Sequence, residues 1–308
     1  MMVRKKVRSM ANYYIDVGSS TTKVHKYENK KLVLLEEHSI YFKNDFSEES
    51  GISKENKQTF YDYFLKLKEE YNLTYTNTHI YATGIFRNLK DKHKNELINH
   101  FNDEFNLHFH IISHGIENYY LGKAMDNDYN NQKVMIINMG GKTTELITFE
   151  NNEITNRVNL NIGVGDLLKR FPEVNNQKSG VTIEEVNNFV KEQINDIKFD
   201  QDYVCAIFTG GEERFQKLTK FNLGENILFK DGIHKYMIHY KDYIKGTADV
   251  FFEYSLDELY SLMPGNPKWM DGARAGAVLP MAIFDKAKIK YIVPSDLNLI
   301  NGVINDLE

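Results

Sequence analysis

Two distant segments of this 308-residue chain repeat one pattern, namely Tyr14-Ile-Asp-Val-Gly-Ser-Ser-Thr-Thr-Lys23 and Ile136-Ile-Asn-Met-Gly-Gly-Lys-Thr-Thr-Glu145. The match continues beyond the turn, since Glu28-Asn29 of the first copy aligns with Glu150-Asn151 of the second. Each copy runs from an apolar stretch through a small, hydroxyl-rich turn into β-branched and aromatic residues, which predicts strand, glycine turn and strand. A hairpin repeated in register indicates two domains of similar plan.

The turns of the two copies have the composition of anion-binding loops. Glycines let the backbone approach a ligand, successive amides can form an anion nest, and threonine hydroxyls and lysines add donors. Asp16 ends a predicted strand, where a carboxylate could hold a hydrated divalent cation. The alternative is a pair of ordinary hairpins with threonine-rich tips. The predicted phosphate-binding residues are Gly18, Ser19, Ser20, Thr21 and Lys23 in the first copy and Gly140, Gly141, Lys142, Thr143 and Thr144 in the second.

The Gly-Lys-Thr at positions 141–143 does not form a nucleotide-binding P-loop. That motif needs a glycine five residues before its Gly-Lys and a helix after it. Position 136 is Ile, and the residues after Thr144 predict a strand.

Length and composition limit the class of protein. The chain is long enough for two domains, and its net charge of −5 gives no general attraction for polyanions, so any phosphate affinity must be local. The single cysteine, Cys205, excludes an internal disulfide and a cysteine-based metal site, and fits a reducing cytoplasm. The most apolar segment, 275–284, contains Pro280 and is too short to span a membrane, so no membrane association is expected.

Strands alternate with helical patterns along the whole chain, which predicts a mixed α/β fold. The polar segment 126–132 is the expected boundary between an N-terminal domain, 11–128, and a C-terminal domain, 129–308. We expect residues 1–10 to form a basic tail and the final helix to pack back on the first domain. The aromatic run 236–243 indicates core packing rather than nucleic-acid binding.

Several motifs, in this order and spacing, resemble the exopolyphosphatase and guanosine pentaphosphate phosphohydrolase family of the actin-like ATPase superfamily. The family's Ile-Ser-Gly-x-Glu-Glu-Ala element corresponds to Ile112-Ser-His-Gly-Ile-Glu-Asn118, and its Asp-Ile-Gly-Gly-Gly-Ser-Thr-Glu to Asn138-Met-Gly-Gly-Lys-Thr-Thr-Glu145. The other matching segments are Asp16-Val-Gly-Ser-Ser-Thr21, Ala82-Thr-Gly-Ile-Phe-Arg87, Arg274-Ala-Gly-Ala-Val-Leu-Pro280 and Ser295-Asp-Leu-Asn-Leu-Ile-Asn-Gly302.

The resemblance implies two tandem ribonuclease H-like domains with an interdomain cleft, and Mg²⁺-dependent hydrolysis of the terminal phosphoanhydride of polyphosphate or guanosine pentaphosphate. It assigns Glu117 as the base that activates water, Arg87 and Glu145 as further catalytic residues, and Asp16 and Asn138 as metal ligands. It also implies a homodimer. Taken without the resemblance, Glu117 could be a solvated helical glutamate, Arg87 a surface ion-pair partner, and Glu145 an exposed strand residue.

Several positions depart from the family pattern, and they affect turnover more than phosphate binding. Asn138 stands where the family has Asp, Lys142 replaces a glycine, Ile116 replaces the first of two glutamates, Gly276 replaces Asp, and Ile300 stands where a basic residue often lies. An amide gives a metal ligand without charge, so metal affinity should fall. A regulatory protein that binds polyphosphate or a nucleotide is therefore one alternative, and an actin-like ATPase or kinase is another. The ten histidines form no convincing pair at ligand spacing, so no transition-metal site is expected.

Overall fold

The computed structural model describes residues 12–42, 46–127, 129–151 and 153–307. The chain divides into two compact units, of which the first ends at Ser113 and the second begins at His114. The predicted tail at 1–10 lies outside the described residues. The predicted fold class, mixed α/β with two tandem domains, is confirmed, and each unit is described by itself below.

The first unit is a five-stranded sheet with helices between its strands. Its elements are β1 (Asn12–Val17), β2 (Thr21–Glu28), β3 (Lys31–Ser39), α1 (Lys54–Tyr71), β4 (Thr78–Ala82), α2 (Ile85–Asn88), α3 (Asp91–Asp103) and β5 (Phe109–Ile111). The strand order is β3-β2-β1-β4-β5, with antiparallel pairs on the hairpin side and parallel pairs from β1 onward.

The second unit contains a seven-stranded sheet. Its elements are α4 (His114–Ala124), β6 (Val134–Met139), β7 (Thr144–Glu150), β8 (Glu153–Leu160), α5 (Val164–Arg170), α6 (Ile183–Gln193), β9 (Cys205–Thr209), α7 (Glu212–Leu218), β10 (Gly224–Glu225), β11 (Tyr236–His239), α8 (Tyr240–Phe252), α9 (Leu256–Leu262), a 3-10 helix (Pro267–Gly272), α10 (Ala273–Lys286), β12 (Tyr291–Pro294) and α11 (Leu299–Leu307).

The sequence repeat corresponds to a repeat of topology. Five strands of the second sheet lie in the order β8-β7-β6-β9-β12, which matches β3-β2-β1-β4-β5 of the first, with the same antiparallel and parallel pairings. The first strand of each hairpin is therefore the middle strand of these five. Strands β10 and β11 extend the second sheet beyond β12.

The two turns have the same backbone geometry. The amide of Gly18 donates to the carbonyl of Thr21 at 2.9 Å, and the amide of Gly140 donates to that of Thr143 at 2.8 Å. We call residues 18–21 turn 1 and residues 140–143 turn 2. The hairpins also share an asparagine in the left-handed region after the second strand, at φ +53° for Asn29 and +54° for Asn151. Asparagine tolerates that conformation better than most residues.

Buried side chains explain why each unit holds together. In the first unit, the aromatic face of α1, with Phe60 and Phe64, packs on Phe101 of α3 and on the sheet. Helix α1 begins at the cap Ser53, whose hydroxyl accepts the amide of Asn56. In the second unit, α10 is buried on nearly all sides.

Two motif residues near the C-terminus serve the fold of the second unit. The side chain of Arg274 is fully buried and donates to the carbonyls of Phe251, Asn175 and Tyr254. Gly302 of α11 lies so close to α4 that a Cβ there would be 1.7 Å from the carbonyl oxygen of Tyr120. A side chain at position 302 would therefore separate the two helices.

The packing of α11 on α4 bears on the domain boundary. The expected boundary at 128/129 places α4 in the first domain, whereas the compact units divide at Ser113/His114 and place α4 in the second. The close backbone approach at Gly302 and hydrogen bonds from Tyr119 to Asp306 and from Asn305 to the Lys123 carbonyl hold α4 against α11. The final helix thus packs on a segment that the sequence assigned to the first domain. Within the described part of the chain, no helix is long and apolar enough to cross a membrane.

Candidate active site

Turn 1 is joined to the segment that leads into α2. The hydroxyl of Ser19 is buried and accepts the amide of Ile85, the first residue of α2, at 3.0 Å. Gly84 has φ +58°, and a Cβ there would be 2.0 Å from the Ser19 hydroxyl oxygen. Both facts require glycine at 84 and a small side chain at 19. Ser19, predicted to bind phosphate, therefore also has a structural role.

The remaining predicted residues of the first unit lie around this turn. Asp16 and Lys23 are half-buried cross-strand neighbours on β1 and β2. The Ser20 carbonyl accepts the amide of Ile40, and Thr21 begins β2. Arg87 is a half-buried residue of α2, two positions after the residue that Ser19 holds. Phosphate binding by these residues remains a prediction.

Turn 2 is fixed by the start of α5. The amides of Val164 and Gly165 donate to the carbonyls of Gly140 and Gly141, at 3.0 and 2.8 Å. A Cβ at Gly163 would be 2.5 Å from both the Gly140 carbonyl oxygen and the Lys142 amide nitrogen, so the two backbones touch. This contact requires glycine at position 163 and makes the turn rigid.

Two polar residues of this region already have intramolecular partners. Lys142, which we expected to face phosphate or metal, forms a 2.6 Å ion pair with Asp166 of α5, and its side chain is 42% exposed. The other carboxylate oxygen of Asp166 accepts the amide of Gly163. Thr144 is fully buried, and its hydroxyl donates to the carbonyl of Ile162 at 2.8 Å. Both side chains stabilise the turn, and their binding to phosphate remains a prediction.

Glu145, near the start of β7, is a buried and oriented carboxylate. It is 1% exposed, which excludes the exposed-strand interpretation. The Thr143 hydroxyl donates to one of its oxygens at 2.6 Å, and the Asn138 amide donates to the other at 3.0 Å. Asn138 lies directly opposite Glu145 across the β6–β7 ladder. With a neutral amide there, Glu145 is held by a hydrogen bond where an aspartate would repel it.

Glu117 occupies the first turn of α4, where a negative charge is favoured by the helix dipole. It is 7% exposed, so it is not the solvated helical glutamate of the alternative interpretation. Ile116, which stands where the family has a glutamate, is 45% exposed. Helix α4 is anchored to the sheet by Asn118, which donates to Asn159 of β8 at 3.0 Å.

Glu117, Glu145 and His114 come together where the start of α4 lies against β7. Each offers a ligand atom, and these atoms all lie within 4.8 Å of one another. Nδ1 of His114 lies 4.0 Å from Oε1 of Glu145. We call these three residues the His–Glu–Glu cluster. His114 was missed in the sequence, although its spacing of three from Glu117 on a predicted helix was a usable signal.

The His–Glu–Glu cluster fits a divalent cation. Two ligands of one ion with bonds of about 2.1 Å lie about 3.0–3.4 Å apart in octahedral or tetrahedral geometry, so the ligand atoms would close by roughly 1–2 Å through side-chain rotation. Two buried carboxylates and an imidazole are ordinary ligands for such ions. Asp16 does not belong to a comparable group of three among the described residues, and Asn138 donates its amide to Glu145. Metal ligation by Asp16 and Asn138 stays a prediction.

A Ser–His–Asp array in the same unit is structural. His234 contacts Asp231 through Nδ1 and the Ser295 hydroxyl through Nε2, the latter at 2.9 Å. The Ser295 oxygen also accepts the amide of Leu297. All three side chains are buried, Ser295 to 1% exposure, so the array has no open face for a substrate. It explains the Ser-Asp motif at 295–296 as a packing element.

The duplicated sheet topology, a glycine turn in each unit and the buried carboxylates beside turn 2 define a duplicated α/β protein with a candidate acidic site in its second unit. The family model of the Ppx/GppA phosphatase family matches residues 28–308, and the chain belongs to that family. The predicted resemblance is thereby confirmed. None of the curated proteins matches the chain significantly.

Solved structures of similar proteins show the same fold. A Ppx/GppA family member from Aquifex aeolicus is 17% identical, with 97% of each chain covered and a TM-score of 0.68. An exopolyphosphatase from Cytophaga hutchinsonii gives the same identity, coverage and TM-score. An exopolyphosphatase-like protein gives a TM-score of 0.74 at 16% identity, covering 96% of this chain and 97% of its own. Identities this low show the fold alone.

Proposed function

We propose that this protein is a phosphohydrolase that removes the terminal phosphate of inorganic polyphosphate or guanosine pentaphosphate. The observation that carries the proposal is the buried Glu117 carboxylate, held near Glu145 and turn 2 in a chain of a phosphatase family. The name of the Cytophaga hutchinsonii structure, an exopolyphosphatase, supports polyphosphate as a substrate.

Glu117 has the chemistry of a general base. In the proposed step, a water oxygen bonds to the terminal phosphorus, the bridging oxygen leaves with the shortened chain, and Glu117 accepts the proton of the water. A carboxylate is ionised at neutral pH and accepts hydrogen bonds only, which suits this role. General base catalysis typically contributes about 10²- to 10⁴-fold in rate.

The residues around Glu117 would orient the reacting groups. Glu145 is fixed by Thr143 and Asn138, so its position does not depend on ligand binding. A divalent cation, Mg²⁺ by resemblance, supplies charge neutralisation of the phosphoryl oxygens when bound. The resemblance assigns phosphate contacts to Arg87 and to the two turns, where a guanidinium can bind an oxyanion through two parallel hydrogen bonds.

Phosphate release tests the proposal. The wild-type protein, Glu117→Gln and the control Glu192→Gln, an exposed residue of α6, are assayed on long-chain polyphosphate, guanosine pentaphosphate and ATP. We expect release from one or both of the first two substrates, a loss of about 10²-fold or more in Glu117→Gln, and none in Glu192→Gln. Equal rates for wild type and Glu117→Gln would refute the mechanism, and release from ATP alone would indicate an ATPase or kinase.

One observation supports a second function, that of a phosphate-binding regulatory protein. Asn138 replaces an acidic residue with an amide, and Lys142 is paired with Asp166. Both changes leave anion binding possible while reducing the negative charge available to a metal. Tight binding of polyphosphate by wild type, with no release from any of the three substrates, would establish this alternative and exclude the hydrolase.

A further inference from the structure

We propose that the His–Glu–Glu cluster binds a first-row transition-metal ion, such as Mn²⁺ or Zn²⁺, in preference to Mg²⁺, and that His114 sets this preference. The inference rests on the proposed function in that the ion would serve the same site. It departs from the expectation of Mg²⁺ and from the expectation that the histidines form no metal site.

The backbone brings the three ligands together from two elements. His114 and Glu117 lie three residues apart at the start of α4, which places both side chains on one side of the helix. Glu145 comes from β7, and α4 packs against β7 and β8. All three ligand atoms lie within 4.8 Å of one another, with the imidazole and one Glu145 oxygen 4.0 Å apart. The His114 and Glu145 atoms would close by about 1 Å or less to become adjacent ligands of one ion.

Burial and supporting hydrogen bonds favour a built site. Glu117 and Glu145 are 7% and 1% exposed, so both carboxylates are more than nine-tenths buried. Thr143 and Asn138 orient Glu145, and Asn118 fixes the first turns of α4 through Asn159. Partners of this kind, which hold ligands in place, are typical of metal sites. His114 is 37% exposed and gives an ion access from solvent.

The imidazole determines which ion the site prefers. Mg²⁺ takes oxygen ligands in octahedral geometry and keeps several waters, whereas imidazole suits Zn²⁺ and Fe²⁺. Mn²⁺ takes mainly oxygen ligands, but it lies in the same first-row series and accepts a nitrogen ligand more readily than Mg²⁺ does. In the family motif that residues 112–118 resemble, a glycine stands at the position of His114, so the motif itself supplies no imidazole there. Asn138, where the family motif has aspartate, keeps an amide oxygen but carries no negative charge, so it weakens the electrostatic attraction on which Mg²⁺ binding depends. The imidazole is therefore the feature that sets the preference.

Glu117 can serve both the ion and the proposed reaction. A carboxylate that contacts an ion through one oxygen keeps the other as a hydrogen-bond acceptor for water. The metal proposal therefore does not compete with the role of Glu117 as a base.

Direct binding measurements on the full chain test the proposal. Mn²⁺ and Mg²⁺ are titrated calorimetrically into metal-free wild type, His114→Gln, and the control His110→Gln, which alters an exposed histidine of β5. We expect His114→Gln to weaken Mn²⁺ binding by about 10-fold or more and Mg²⁺ binding by less than about 3-fold, because only the transition metal uses the nitrogen. The control should bind both ions as wild type does.

Electron spin-echo spectroscopy of bound Mn²⁺ gives a readout of the ligand itself. Wild type and His110→Gln should show nitrogen coupling to Mn²⁺, and His114→Gln should lack it. Circular dichroism melting of each variant checks that the fold is kept. Equal Mn²⁺ affinity in wild type and His114→Gln, or nitrogen coupling that survives the substitution, would overturn the proposal.

The two proposals can fail separately. Mn²⁺ binding through His114 with no phosphate release from any substrate would keep the metal site and refute the hydrolase. Phosphate release that depends on Glu117, combined with wild-type Mn²⁺ affinity in His114→Gln, would keep the hydrolase and refute the metal proposal.

Discussion

Replacing Asn138 with aspartate should make the stability of the second unit depend on a divalent cation. In the present chain, the Asn138 amide donates to Glu145 at 3.0 Å across the β6–β7 ladder. Asn138→Asp removes this donor and restores the acidic residue of the family pattern. It also places a second carboxylate against one that is 1% exposed.

The expected cost follows from the geometry. Two negative charges about 4 Å apart repel by about 4 kcal/mol at an effective dielectric constant of about 20. The lost hydrogen bond to a charged group adds about 1.5–3 kcal/mol. Asn138 is half-buried, so solvent screens part of the repulsion. We therefore expect a loss of about 2–4 kcal/mol in the free energy of unfolding, which corresponds to a decrease of about 5–15 °C in Tm for a unit of this size.

Thermal unfolding with excess chelator and with Mg²⁺ or Mn²⁺ measures the effect. Asn138→Asp should be destabilised in chelator and should recover most of the loss with a cation, because the cation neutralises the paired carboxylates. The control Asn156→Asp makes the same chemical change on β8 opposite Thr148, where no carboxylate faces it. Equal stability of Asn138→Asp and wild type in chelator, or an unchanged response to cations, would refute this reasoning.

Three further predictions concern residues that support the fold. Gly163→Ala should lower the free energy of unfolding by about 1–3 kcal/mol and slow phosphate release, because its Cβ would enter the backbone of turn 2. The control Gly265→Ala, with open space around it, should change neither quantity. Denaturant unfolding and release assays measure both. Burial, assisted by nearby Lys23, lowers the pKa of His25 from 6.5 to about 4. The unfolded chain therefore takes up a proton that the folded chain does not, and the free energy of unfolding should fall by about 3 kcal/mol as pH decreases from 6.5 to 4. Urea unfolding should show this fall in wild type and a smaller fall in His25→Gln. Ser295→Ala should lower the free energy of unfolding by about 1–3 kcal/mol in the same assay, since it removes the hydrogen bonds to His234 and Leu297. Phosphate release should be unchanged. A loss of release at wild-type stability would contradict the structural role of Ser295.

The repeat made much of the fold predictable. Two matching segments predicted two hairpins, and the structure shows both, with equivalent strand orders in the two sheets. The strand that follows Thr143 also agrees with the exclusion of a P-loop. Helices such as α1 follow from the sequence, because its buried positions Phe60, Phe64 and Leu67 recur at helical spacing.

The domain boundary could not be predicted from local composition. The polar segment 126–132 has the character of a linker, but α4 packs with α11, which follows much later in the chain. The contact depends on Gly302 lying against the backbone of α4, and a glycine in a sequence does not identify what it faces.

The roles of individual polar residues also depend on tertiary contacts. Ser19 and Thr144 look like phosphate donors in sequence, yet one holds the start of α2 and the other donates to Ile162. Lys142 has its partner, Asp166, on a separate helix. His114 meets Glu145 because α4 lies against β7, a proximity that the spacing within α4 alone does not give.

The most direct test of the central claim is hydrolysis of polyphosphate in ¹⁸O-labelled water, with the label followed by mass spectrometry. Attack of water on the terminal phosphorus, promoted by Glu117, predicts one labelled oxygen in each released orthophosphate. It also predicts a release rate about 10²-fold or more lower in Glu117→Gln. Unlabelled orthophosphate with labelled chain ends, or an unchanged rate in Glu117→Gln, would contradict the account.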